Sequence, residues 1–122
     1  MSLVIEFAAP AKVMSMNDRM HWRPKAALNA QWVKAAKVAG LQWRRRTRWK
    51  PKPCTVQLVV PVRDNRRRDP HNYFATVKPV VDGLVLAGVW PDDTPEWVRT
   101  IEPSIAVGAS LVAVVLELRG DA

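Results

Sequence analysis

Between residues 25 and 43 the apolar side chains Leu28, Trp32, Ala36, Ala39 and Trp43 recur at spacings of three or four, while Lys34 and Lys37 fall off that stripe. A period near 3.6 residues lays such a stripe along one face of a helix. In a chain of only 122 residues, an amphipathic helix this long must bury its face against the remaining elements. The other apolar runs are shorter. Leu3-Val4-Ile5-Glu6-Phe7 ends at Pro10, and Cys54 to Val62 is rich in Val and Leu with Pro53 and Pro61 near its ends. Both read as strands, because β-branched residues suit a pleated, half-buried surface and proline is tolerated at strand ends. The first helix runs into Arg44-Arg45-Arg46 and Arg48, cations that favour a helix C-terminus, before Pro51 and Pro53 enforce a stop.

Thr76 is placed to cap a second helix in which Val77, Val81, Leu84 and Gly88 share one face, while Lys78 and Asp82, four apart, share another. Pro79 fits only near its start. Gly88 and Pro91 close the helix, and Trp90-Pro91-Asp92-Asp93 forms an acidic turn. Val98 to Glu102 and Leu111 to Leu118 then read as two strands joined through Pro103 and Gly108, in the manner of a hairpin. The expected architecture is one α+β domain over residues 1–122, in the order β-α-β-α-β-β, with a mixed sheet and two helices. No internal repeat or low-complexity segment interrupts it.

With 48% hydrophobic residues the chain has enough apolar material to offset the entropy of ordering it. The longest apolar stretches, such as Ile105 to Leu116, fall short of the roughly 20 residues of a membrane helix. The N-terminus lacks a basic region followed by a long apolar run, and the single Cys54 has no internal disulfide partner. A reducing cytoplasm is the expected compartment.

Charge narrows the function. Nineteen Lys plus Arg against 11 Asp plus Glu leave a formal net charge of +8, which favours a polyanionic partner. Arg44 to Arg46, Arg48, Lys50 and Lys52 form one basic block and Arg66 to Arg68 another, both suited to neutralising backbone phosphates. Trp32 and Trp43 belong to the helix stripe, which leaves Trp49 free to stack on an unpaired base. Against this background, Asp69, Asp82, Asp92 and Asp93 cluster around the second helix. Two readings of them stand. A hard divalent ion needs only one or two carboxylates plus substrate phosphate oxygens, provided that tertiary structure brings both ends of the helix segment together. Alternatively the acids are solvated helix and turn residues, Asp82 pairing with Lys78 and Asp92-Asp93 shaping a turn.

The stretch Arg66-Arg67-Arg68-Asp69-Pro70-His71-Asn72, then Lys78 with Asp82-Gly83-Leu84, then Ala87-Gly88-Val89-Trp90-Pro91-Asp92-Asp93 resembles the signature of the RusA family of Holliday-junction resolvases, of phage or prophage type. That signature is an Asp-x-Asp-Asn element, a Lys four residues before an Asp of the next helix, and an Ala-Gly followed shortly by Asp-Asp, in this order. The element order is similar too, so the resemblance covers most of the chain. It implies a small homodimeric endonuclease that depends on Mg2+, with Mn2+ as the alternative, and that nicks four-way DNA junctions symmetrically in two opposed strands. Two coordinated cuts require two sites, which a C2 dimer supplies. Neither a nucleotide cofactor nor a membrane is implied. By position, Asp69 stands for the first acid, Asn72 for the Asn, Lys78 for the Lys, Asp82 for the helical Asp and Asp92-Asp93 for the closing pair. The resemblance thus makes Asp69, Asp82, Asp92 and Asp93 the metal ligands, Asp69 and Asp93 foremost, with Lys78 stabilising charge near the scissile phosphate. Arg44, Arg45, Arg46, Arg48, Arg66, Arg67, Arg68 and Asn72 form the expected DNA-binding set. Asn17, after the first strand, is similar to a polar Asn-containing loop of the family.

Two departures stand out. His71 replaces the second acid of the Asp-x-Asp element, and a neutral imidazole suits Mn2+ better than Mg2+. It is a ligand, an acid or base in the catalytic set, a hydrogen-bonding partner of a phosphate or an Asp, or an isolated loop histidine with no role in the chemistry. The interval from Asn72 to Lys78 is also longer than in shorter members of the family, so Tyr73 to Val77 is expected to add a turn before the helix. The second histidine, His21, beside Trp22, is open to surface packing or DNA contact. Besides the resolvase, two other classes fit this chain: a catalytically silent branched-DNA binder with His71 as the lesion, and a small basic RNA-associated or structural protein, for which the acids have no purpose.

Overall fold

Alternating burial along Cys54–Val62 shows how the sheet forms: Cys54, Val56, Leu58 and Val60 are buried and the residues between them half-exposed, the two-residue period of a strand with one covered face. In the computed structural model, which describes residues 2–18 and 22–120, this strand, β2, is the hub. The other elements are β1 (Ser2–Phe7), α1 (Trp22–Thr47), a short 3-10 turn (Pro70–Tyr73), α2 (Phe74–Leu86), β3 (Val98–Thr100), β4 (Ser104–Val107) and β5 (Val112–Leu118). His21 lies outside the described residues. No described helix is long and apolar enough to cross a membrane.

The fold is α+β with two helices and a mixed sheet, as expected, but the end of the chain is not a hairpin. The strand order is β1-β5-β2, with β3 and β4 together on the far side of β2. β5 runs antiparallel to both β1 and β2, whereas β3 and β4 run parallel to β2. The expected connection through Pro103 and Gly108 therefore contains a further strand. β3 and β4 act as one edge strand with an added residue: Val56 pairs with Thr100 and Val59 with Ser104, three steps on β2 against four on the edge. The extra residue falls beside Pro103, which has no N–H to give, and an edge strand accommodates such a bulge. Ile101 N–H still bonds the Val56 carbonyl at 3.0 Å, and Gln57 Nε2 donates to the Glu102 carbonyl at 2.9 Å.

The predicted stripe of α1 is its buried face. Trp32 and Ala36 are fully buried, and Ala39 and Trp43 nearly so. They share one core with Val77, Val80, Val81 and Leu84 of α2 and the covered face of the sheet. Indoles in this core each need a partner for the N–H. Trp32 donates to the Lys12 carbonyl at 2.9 Å, Trp90 to Lys52 at 3.0 Å and Trp49 to Val89 at 2.8 Å. Trp49, expected free for stacking, is instead half-buried with its ring 5.0 Å from that of Trp43. The helix runs to Thr47 and stops before the prolines, with Arg48 in the left-handed region at φ 54° and Trp49 N–H bonded to the Arg44 carbonyl.

Thr76 is not the cap of α2. The helix starts two residues earlier, at Phe74, and fully buried Thr76 donates Oγ1 to the Met14 carbonyl at 2.7 Å. The added turn also comes earlier than expected, at Pro70–Tyr73, and it runs straight into the helix. Asp69 caps that turn, its side chain accepting from the His71 N–H at 3.0 Å, while the N-cap of α2 itself, Tyr73, makes no side-chain capping bond.

Candidate functional site

Lys78 and Asp82 lie one turn apart on α2, so their side chains meet on its exposed face. Lys78 Nζ donates to Asp82 Oδ1 at 2.7 Å and also to Asp93 Oδ2 at 2.9 Å. Asp93 reaches Lys78 because the chain doubles back at the end of α2. Gly88, at φ 81°, turns it, Val89 N–H bonds the Leu84 carbonyl, and fully buried Trp90 anchors the return. Tertiary structure thus returns Asp93 to Lys78 and Asp82, but it does not bring Asp69 to them, so the two ends of the segment do not form one ligand group. The two carboxylates hold Lys78 up to about 12, Asp82 contributing most, and the ammonium in turn lowers Asp93. A cavity of about 270 Å3 opens beside the trio, between Phe74, Val77, Val81 and Thr100.

Asp92 does not join them. Its Oδ1 accepts from both Thr94 N at 2.9 Å and Thr94 Oγ1 at 2.6 Å, an Asx turn that shapes the loop. Asp69 stands across the Pro70–Tyr73 turn, in a polar cleft of about 610 Å3 with Asn17, Arg67 and Asn72. His71 sits on the turn between the two hollows. Its ring meets Phe74 edge-on at 5.0 Å, and Nδ1 lies 3.4 Å from Glu102 Oε1. Glu102 was missed in the sequence, since only the bulge at Pro103 brings it there. Asn17 is brought beside Asp69 by Met16 N–H bonding the Asn72 carbonyl at 2.8 Å.

The expected four-aspartate ligand set is therefore split. Among the described residues no three of His, Cys, Asp and Glu stand close enough to hold an ion together. What does converge is a pair of carboxylate oxygens, from Asp82 and Asp93, on the single cation of Lys78. Such a pair fits a hard divalent ion that keeps most of its waters, with the Lys78 ammonium at present holding the point where they converge.

The arginines also divide. Arg44 Nη1 donates to the Ala87 carbonyl at 3.1 Å, satisfying the C-terminal end of α2. A Cβ on Gly88 would lie 2.8 Å from that same Nη1. Arg44, expected to contact DNA, is thus a tie between the helices. Arg68 is likewise committed. Its guanidinium bonds Asp64 Oδ1 at 3.0 Å and the Asp64 and Arg66 carbonyls at 2.9 and 3.0 Å, and these bonds lower the Asp64 carboxyl together with the larger effect of the Arg66 N–H. Arg45, Arg46, Arg48, Arg66 and Arg67 are exposed. They leave a pattern: one block at the C-terminal end of α2, where Arg44 docks, and the other leading into its N-terminal end. The 13 residues of α2 span about 20 Å, with Lys78, Asp82 and Asp93 between the two blocks. No family model matches the chain, and no curated protein matches it.

Proposed function

We propose that this chain is a metal-dependent endonuclease that cuts branched DNA, acting as a homodimer on four-way junctions. The observation that carries the reading is the convergence of the Asp82 and Asp93 carboxylates on Lys78 at the exposed face of α2, a helix whose C-terminal end is tied to Arg44 and whose N-terminal end follows Arg66 to Arg68 in the chain. A duplex or junction arm laid along that side would have its phosphates held at both ends. Asp82 and Asp93 would hold a Mg2+ or Mn2+ ion; Asp69, apart from them in the neighbouring cleft, is assigned to the ion by the RusA resemblance alone. When bound, that ion would supply charge stabilisation at the phosphodiester. Lys78, displaced from between the carboxylates, is long enough to put its ammonium on a non-bridging phosphate oxygen, where it would stabilise developing negative charge. The RusA resemblance supplies the four-way junction and the two-fold dimer.

A second reading is favoured by one observation: Asp69 Oδ1 caps the turn at His71, and His71 stands where the family pattern has an acid. On that reading the chain binds branched DNA without cutting it. A cleavage assay on a synthetic four-way junction beside a linear duplex of the same sequence, in Mg2+, Mn2+ or chelator, separates the two. Paired metal-dependent nicks on the junction alone, lost in Asp69→Asn, are expected. Junction binding with no nick in any metal would move the assignment to the silent binder, and equal affinity for linear duplex or RNA would sink both.

A further inference from the structure

The cleft beside Asp69 is built more carefully than phosphate contact requires. Its walls come from residues 15–17 and 67–73, far apart in sequence and stitched together by two bonds: Met16 N–H to the Asn72 carbonyl at 2.8 Å and Thr76 Oγ1 to the Met14 carbonyl at 2.7 Å. Asp18 stiffens the first wall, accepting from Ser15 N–H at 2.9 Å and from Lys12 Nζ at 3.1 Å. The result is a preformed hollow of about 610 Å3, inside the range of small-ligand pockets, about 300–1,000 Å3.

Its lining is specific in kind. Two carboxamides, Asn17 and Asn72, face it, and neither side chain has a hydrogen-bond partner among the described residues. A carboxamide presents donors and an acceptor side by side, the pattern that matches the paired donor and acceptor of a nucleobase edge. Arg67 and Arg68 both line the same cleft, Arg68 with its guanidinium held on Asp64, which leaves the exposed Arg67 to meet a phosphate. Tyr73 adds a flat, half-buried ring, a face on which a base stacks.

We infer that this cleft receives one unpaired nucleotide of the DNA, its base edge read by the Asn17 and Asn72 carboxamides, its ring against Tyr73 and its phosphate on Arg67. A base within a duplex is stacked on both sides and cannot present its edge to the carboxamides of such a cleft without leaving the stack, and a base beside a branch point leaves its stack at lower cost. The inference rests on the branched-DNA reading and adds to it the recognition of a single unpaired base.

The test places 2-aminopurine at successive positions around the branch of a synthetic four-way junction and measures its fluorescence on binding in chelator, where nothing is cut. The expected result is a change confined to one or two positions. Asn17→Ala should abolish that change and weaken junction binding about tenfold, the order of one carboxamide–base contact, with affinity for linear duplex and thermal stability unmoved. Uniform fluorescence at every position, or an Asn17→Ala protein that binds and reports as wild type, overturns the inference while leaving the nuclease reading intact. A position-specific signal without cutting in any metal supports the cleft and overturns the nuclease reading.

Discussion

The crossing of α1 and α2 should fail at Gly83 before it fails at any neighbouring residue. A Cβ built on Gly83 would press onto the Val33 carbonyl oxygen and lie 2.7 Å from Ala36 Cβ and 2.9 Å from the Lys37 nitrogen. Two of these three atoms are backbone of α1, so relief requires the helices to separate. Gly40 is approached less closely: its Cβ would lie 2.9 Å from Ala87 Cβ, 3.0 Å from Leu84 Cδ2 and 3.4 Å from Val89 Cγ2, so Leu84 and Val89 can give by side-chain movement and only Ala87, at the end of α2, needs a small backbone shift. Both glycines are helical, so Gly→Ala gains about 1 kcal/mol of intrinsic propensity at each. Overpacking costs about 1–3 kcal/mol and more when backbone must move. Gly40→Ala should therefore come out within about 1 kcal/mol of wild type, and Gly83→Ala should lose about 2–3 kcal/mol, a fall of roughly 8–12 °C in Tm for a domain of this size. Circular dichroism melts of both variants, checked by urea titration, read the difference. If Gly83→Ala melted at or above Gly40→Ala, the close backbone contact would be refuted as a constraint on this fold.

Four further variants probe the site. Lys78 is raised from 10.5 to about 12, so its contribution to stability is complete below pH 10.5 and disappears as the pH climbs through 12; Lys78→Met should flatten that alkaline limb. Asp93 is lowered, so its share is present above its ordinary 3.8 and lost on acidification, and in the same variant carboxyl NMR should show Asp93 titrating at a higher pH. Arg44→Met should lower Tm by uncapping the Ala87 carbonyl, costing about 1–2 kcal/mol, while, on the proposed DNA-binding reading, leaving the salt dependence of binding nearly unchanged. Arg45→Ala with Arg46→Ala should do the reverse, flattening the slope by about two phosphate contacts, as filter binding across a salt series would show. Finally, on the nuclease reading His71→Asp should raise cleavage in Mg2+ relative to Mn2+; an unchanged metal ratio would mean that His71 is not near the ion.

Periodicity was readable wherever an element follows its own pattern. The Trp32–Ala36–Ala39–Trp43 stripe and the β2 run survive intact because burial of one face repeats along the chain. The Lys78–Asp82 contact was equally local, set by helix pitch. What escaped depended on partners distant in sequence. Arg44 and Arg45 belong to the same arginine run, and only the arrival of Ala87, 43 residues on, makes one a tie and leaves the other exposed. Thr76 carries the signature of a cap, yet Met14 claims its hydroxyl. Pro103 suggested a break between two strands of a hairpin, whereas the sheet absorbs it as a bulge and so swings Glu102 toward His71. No spacing rule reports such meetings, since each is fixed by register or by the route of the chain around the core.

The order of the sheet has a consequence for how the protein is made. β1 and β2 do not touch each other; β5, near the end of the chain, lies between them and pairs with both. A nascent chain leaving the ribosome can bring α1 and α2 together, but its first strand must wait, unpaired, for residues 112–118 to emerge. Pairing of β1 with the rest of the sheet therefore waits on β5, a contact of large sequence separation, and a chain truncated before β5 would carry an unpaired β1 and an open edge on β2, exposed to aggregation and proteolysis.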